Sequence, residues 1–183
     1  MRKGRQSKGK EIRPTFFVFC EGETEEAYIA FLRSNYRIPI EIVVKKAGSG
    51  INKRFIDSYK KDYTTHPKDK TFLIYDFDVP EIVEKLQKIS KIELLLSNPC
   101  FELWYLLHFK NQTAELTSEN CVSELTNHFG NYKKGVLNEK LKDKLLNNKN
   151  IVVSRAKNLV EFKNPSTNVY VFVEELDKIK ENL

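Results

Sequence analysis

The sequence predicts an α/β protein: a short parallel sheet flanked by helices, followed by a helical C-terminal half. Three observations lead there. Up to residue 97, four short apolar, β-prone runs alternate with segments of helical spacing. Beyond residue 98, helical segments dominate. Two of the four apolar runs end in a cluster of acids, and open parallel sheets place their ligands beyond the carboxyl ends of their strands.

Taken in order, "TFFVFC" (15–20) reads as a buried strand. A helix follows, with Ala27 and Phe31, and Tyr28 and Leu32, at i, i+4, and with Thr24 suited to its N-cap. "IEIVVKK" (40–46) is a second strand; "AGSG" is a turn, and Ser49 is positioned to cap a helix over "INKRFIDSYKK". "KTFLIYD" (70–76) is a third strand, and Pro80 fits the first turn of the helix "PEIVEKLQKI". "IELLLS" (92–97) is a fourth strand.

"NPCFELWYLLHF" (98–109) reads as a helix with Asn98 at its N-cap and Pro99 at N1, apolar nearly all round and therefore buried. "SENCVSELTNHF", "LNEKLKDKLL" and "IVVSRAKNLVEF" continue the helical pattern. In "TNVYVFVEELDKIK" the stretch "VYVFV" alone suits a strand, but the "EELDKIK" ending and a cap at Ser166 or Thr167 favour a helix. The expected organisation is a disordered basic tail (1–12), an α/β core (13–97) and a helical subdomain (98–183) packed on it.

The 183 residues carry 31 Lys and Arg against 25 Asp and Glu, a net charge of +6, which favours contact with nucleic acid or another polyanion. No apolar run approaches the roughly 18–20 residues of a membrane span. The start, "MRKGRQSKGK", has no apolar stretch and is not a secretory signal. Cys20, Cys100 and Cys121 are odd in number and widely spaced, which fits neither a disulfide framework nor a zinc site, so a reduced, cytoplasmic protein is expected. No G-x-x-x-x-G-K-[ST] phosphate loop occurs, so any ATP hydrolysis must come from a partner.

The first acidic cluster, in "VFCEGETEEAYIAFL" (18–32), contains Glu21, Glu23, Glu25 and Glu26. The second, in "LIYDFDVP" (73–80), contains Asp76 and Asp78. In an extended chain positions i and i+2 face the same side, so these two carboxylates can converge. If the first and third strands are neighbours, Glu21 joins them on one rim. Such a group repels itself without a cation, and hard oxygen ligands favour Mg²⁺ or Mn²⁺. The plainer reading is that acids at a strand-to-helix turn serve the helix start.

"VFCEGETEEAYI", "YDFDVP", "LLLSNPCFELWYLLHF" and "NPSTNVYVFVEEL", in this order, resemble the RloB-like proteins from about residue 16 to residue 176. The resemblance implies a Toprim-type fold, with a glutamate after the first strand matched by Glu21 and a D-x-D after a later strand matched by Asp76 and Asp78. It implies metal-dependent cleavage of DNA or RNA by an effector of antiviral or restriction-linked defence, alongside an ABC- or AAA-type ATPase encoded nearby. The rival reading is a non-catalytic nucleic-acid-binding or ATPase-docking subunit.

Other residues have two readings each. Glu25 serves either the metal site or the helix dipole. Glu102, an acid in an apolar helix, needs a partner; it is a further acidic ligand, orients Asn98, or pairs with a basic residue from the C-terminal half, and the family motif favours a site role. Trp104 reads as core rather than as a stacking platform, and His108 as either a general base or a residue at ease at a helix end. Lys133 and Lys134 in "NYKKG", Arg155 and Lys157 in "SRAK", and Lys163 are the candidates for phosphate contact, against a default of solvated charge.

Overall fold

The computed structural model describes residues 12–77 and 80–183. All of the expected tail except Ile12, and Asp78 of the D-x-D pair, lie outside the described residues.

The first half alternates strand and helix as the apolar runs dictate. The elements are β1 (Thr15–Cys20), α1 (Glu23–Tyr36), β2 (Glu41–Lys46), α2 (Lys53–Lys60), β3 (Lys70–Asp76), α3 (Pro80–Gln87) and β4 (Glu93–Asn98). The second half holds α4 (Glu102–Leu107), α5 (Ser118–Phe129), α6 (Glu139–Asn147), α7 (Lys149–Lys157), β5 (Ser166–Thr167) and α8 (Tyr170–Glu181). The fold is α/β, with one five-stranded sheet ordered β2-β1-β3-β4-β5. The first four strands are parallel, and β5 runs antiparallel at the edge.

Alternation along the strands divides the apolar residues between two faces. Phe16, Val18 and Cys20 of β1, with Phe72 and Ile74 of β3, join a core shared with α1, α4 and the C-terminal helices. Phe172 of α8 reaches this layer, its ring centroid 4.8 Å from that of Phe72. Phe17, Phe19, Leu73 and Tyr75 face the other way, against Ile56 of α2 and Val83 and Leu86 of α3. With both faces covered, the central strands are apolar at nearly every position, as buried parallel strands require.

Several local expectations are corrected. The N-cap of α1 is Gly22, not Thr24. Asn52 caps α2 by accepting the Phe55 N–H at 3.0 Å, in place of Ser49. Asn98 does not cap α4, because it is the last residue of β4 and pairs with Ser166. The Asn98–Pro99 peptide is cis, and α4 begins only at Glu102. The expected burial of α4 holds, since all six of its residues are buried.

Ser166 and Thr167 form β5 instead of capping the last helix, and the ambiguous "VYVFV" is helical from Tyr170 onward, with Val169 at the N-cap of α8. Asn168 lengthens this edge pairing: its side-chain amide accepts from Leu96 N–H at 2.6 Å and donates to Leu94 O at 3.2 Å. Helix α7 stops at Lys157, so Val160 and Phe162 lie in an exposed turn outside the helix expected there.

Candidate acidic site at the carboxyl end of the sheet

Strand order brings the two acidic clusters together. β1 and β3 are neighbours in parallel register, with Cys20 beside Ile74. Glu21 continues that pairing by donating its N–H to Ile74 O at 3.1 Å. Its side chain turns back, and Oε2 accepts the Asp76 N–H at 3.2 Å. Both residues therefore occupy the carboxyl rim, where the parallel strands end together.

Glu25 and Glu102 join them. Glu21, Glu25, Asp76, Glu102 and Lys134 line one open cleft of about 650 Å³. Glu25 is the third residue of α1 and is buried, so its carboxyl faces the protein and not solvent. A Cβ on Gly22 would come within 3.1 Å of Glu25 Oε2, so the glycine leaves room for that carboxyl. The remaining acids of the cluster are more open to solvent, although Glu23 also lines the cleft. Glu23 is exposed and pairs with Lys46 at 2.9 Å, and Glu26 is half-buried.

Glu102 is 1% exposed. Its Oε1 accepts the Thr24 hydroxyl at 3.1 Å and the Tyr132 hydroxyl at 3.0 Å, and Lys134 Nζ stands 3.8 Å away. The segment 130–136 thus straps over the start of α1. Its close seating needs Gly135, whose φ is +74° and where a Cβ would come 2.9 Å from the Cβ of Glu23.

Crowded carboxylates at partly desolvated positions hold their protons. Burial, then the field of Glu25, pushes the Asp76 carboxyl up to about 9. Burial likewise raises Glu25 to about 7, against opposing backbone hydrogen bonds and with help from Glu102 and Glu21. Burial works against the Lys134 ammonium, but Glu102, Asp76 and Glu25 outweigh it and move its pKa up.

The donors bear on a cation in two ways. Asp76 Oδ1 is buried with no hydrogen-bond partner among the described residues, and an all-carboxylate set suits a hard divalent ion. Yet no three Asp, Glu, His or Cys side chains stand close enough to hold a metal ion among the described residues. Asp78, the third expected ligand, lies outside them.

The basic candidates separate. Of these candidates Lys134 lines the cleft, where Lys46 is a second basic residue. Lys133 and Lys163 are exposed. Arg155 donates to Leu107 O at 2.6 Å and so closes the end of α4, and Lys157 pairs with Glu174. His108 is buried, and burial lowers its pKa to about 4; its Nδ1 is 2.9 Å from Trp104 O, which makes it structural, not a base in the cleft. Trp104 is core, fully inaccessible to solvent. Sequence reasoning missed Tyr132 and Thr24. The available signal was Tyr132 itself, an amphipathic side chain inside the "NYKKG" stretch picked out for its lysines.

No curated protein and no solved structure matches the chain. The sequence model of the RloB-like protein family matches residues 16–176, which take in the sheet from Phe16 of β1 onward and all but the end of the last helix. That match takes in Glu21, Glu25, Asp76, Glu102 and Lys134 together, and the chain belongs to the RloB-like protein family.

Proposed function

We propose that the protein is a metal-dependent nuclease that cleaves phosphodiester bonds of DNA or RNA at the carboxyl rim of a Toprim-type sheet. The observation that carries this reading is the orphaned, buried Asp76 Oδ1 beside Glu21, Glu25 and Glu102. Leaving a buried acceptor unsatisfied costs about 1–3 kcal/mol, and a cation removes that cost.

Glu21 and Asp76, with Asp78, would hold Mg²⁺ or Mn²⁺, which supplies an activated water and neutralises charge on the phosphate. The chain's own residues prepare the rest. Glu21 fixes the end of β3 through the Asp76 N–H. Glu102 anchors Tyr132, and so sets where the strap presents Lys134. Lys134 is placed to bind the phosphate and offset its charge. Glu25 is able to hold or release a proton near neutrality.

The family membership supports a further role as effector in an antiviral or restriction-linked defence system, working with an ABC- or AAA-type ATPase. The rival, a non-catalytic nucleic-acid-binding or ATPase-docking subunit, draws on the lack of a tight three-ligand group among the described residues.

Calorimetry with Mg²⁺ and Mn²⁺, paired with cleavage assays on DNA and RNA panels, separates the two. The nuclease reading expects metal binding and cleavage that Glu21→Gln and Asp76→Asn both remove. Metal binding that survives both substitutions, or none in the wild type, favours the subunit reading.

A further inference from the structure

Asp76 is followed in the chain by Phe77, which lines a second and smaller cavity of about 180 Å³. This lies below the roughly 300–1,000 Å³ of sites for drug-sized ligands and suits a single planar ring. The cavity joins an aromatic pair to a polar interior. Phe77 and Phe162 have ring centroids 5.5 Å apart and planes tilted by 34°. Leu96, Ser166, Asn168 and Lys157 contribute further walls.

Phe162 is unusual in two independent ways. It is a large apolar side chain left 45% exposed. Its φ is +64°, a left-handed backbone that a bulky residue rarely adopts. The turn is retained by Asn98 Nδ2, which donates to Phe162 O at 3.3 Å, and by Lys163 N–H on Val160 O at 3.1 Å. Residues held this way concentrate where a ligand is gripped. The lining is also polar: Ser166, Thr167 and Asn168 border the cavity beside Lys157 and Glu161.

An exposed aromatic face, a polar edge below it and a size of one ring system match an unpaired nucleobase. Bases stack on aromatic side chains without regard to sequence, and a hydroxyl serves their donor and acceptor edges alike. Phe77 ties the cavity to the rim, because it adjoins Asp76 and its N–H donates to Ser97 O at 2.8 Å. We propose that the Phe77–Phe162 cavity is a subsite for one unpaired nucleobase, so that the substrate is single-stranded or locally unpaired nucleic acid. This rests on the nuclease reading above and narrows its substrate class.

Fluorescence anisotropy in EDTA tests the subsite apart from metal and cleavage. The probes are short labelled ribo- and deoxyribo-oligonucleotides and a duplex of matched length. Phe162→Ala should weaken single-strand binding roughly tenfold, within the range of one lost base stack. Phe162→Trp should retain it, and duplex binding should be unchanged in both. Comparing the ribo and deoxyribo arms tells which sugar the substrate carries. Single-strand binding that Phe162→Ala leaves untouched overturns the proposal. So does an equal loss on single strands and duplex, or no binding of any probe. A parallel Mg²⁺ cleavage assay keeps the two readings distinct: cleavage lost in Asp76→Asn but indifferent to Phe162 leaves a nuclease without this subsite. Phe162-dependent binding with no cleavage leaves the subsite without a nuclease.

Discussion

Glu21 Oε2 accepts the backbone N–H of Asp76 at 3.2 Å, which locks the acid that leaves β1 to the end of β3. The contact makes the two acids one unit, while Glu23, two residues on from Glu21, bonds Lys46 in solvent. Glutamates of one short cluster therefore differ in role, and substitution should expose the difference. Glu21→Gln should remove metal binding in calorimetry. Glu23→Gln should leave it intact and change stability by no more than about 0.5 kcal/mol, as expected of an exposed ion pair. Equal behaviour of the two would return the cluster to a helix-start role.

The crowded carboxyls predict an inverted pH dependence. Asp76 is raised by burial to about 9 from an ordinary 3.8, so between those values the folded chain keeps a proton that the unfolded chain has released. Stability then falls as pH rises. Glu25, raised to about 7, adds the same trend below that pH. His108, lowered to about 4 from an ordinary 6.5, opposes it only in the acid range. The clean window is therefore pH 7 to 9. In urea titrations of metal-free protein, stability should drop there by up to about 1.4 kcal/mol per pH unit. Asp76→Asn should flatten the curve. A wild-type curve that rises across the window would mean that Asp76 is ionised when folded.

Glu102 should be more tolerant of amide than of truncation. Glu102→Gln keeps an oxygen for Thr24 and Tyr132 and should cost about 1 kcal/mol or less. Glu102→Ala strands two buried hydroxyls and should cost about 2–4 kcal/mol. Hydrogen exchange across 130–136 should speed up in the alanine variant. Unchanged exchange there would show that the strap does not depend on Glu102.

Two glycines with similar backbones should separate on space alone. Gly130 has φ +79° and open surroundings, so Gly130→Ala should cost about 1 kcal/mol of backbone strain. Gly135 has φ +74° and would add a clash with the Glu23 Cβ, so Gly135→Ala should cost distinctly more, roughly 2 kcal/mol or above. Thermal melts of the two variants compare them directly, and equal losses would place the strap further from α1 than described.

Lys134 and Arg155 should divide affinity from stability. Lys134→Ala should weaken nucleic-acid binding at low salt and reduce the salt slope by roughly one phosphate contact, with little change in melting. Arg155→Ala removes a charged donor from Leu107 O and should destabilise by about 1.5–3 kcal/mol, leaving affinity nearly unchanged. The reverse pattern would place the nucleic-acid path along α7.

The strands, the alternation of elements and the positions of Glu21 and Asp76 at strand ends were legible because they are local. Four dense apolar runs leave little choice but buried strands, and acids that end them must lie at a strand terminus. Which ends meet is not local. Only tertiary structure set β3 beside β1 and so made Glu21 a partner of Asp76. It also carried Tyr132 thirty residues along the chain to Glu102. The misread caps have the same cause. Thr24 and Asn98 are good capping residues by propensity, but a hydrogen bond to buried Glu102 and a strand pairing with Ser166 outcompete that role. A helix-prone stretch likewise ended at Lys157, because the chain had to turn back in time for Ser166 and Thr167 to close the edge of the sheet. Local propensity amounts to fractions of a kcal/mol per residue, and long-range pairing with burial exceeds it wherever the two disagree.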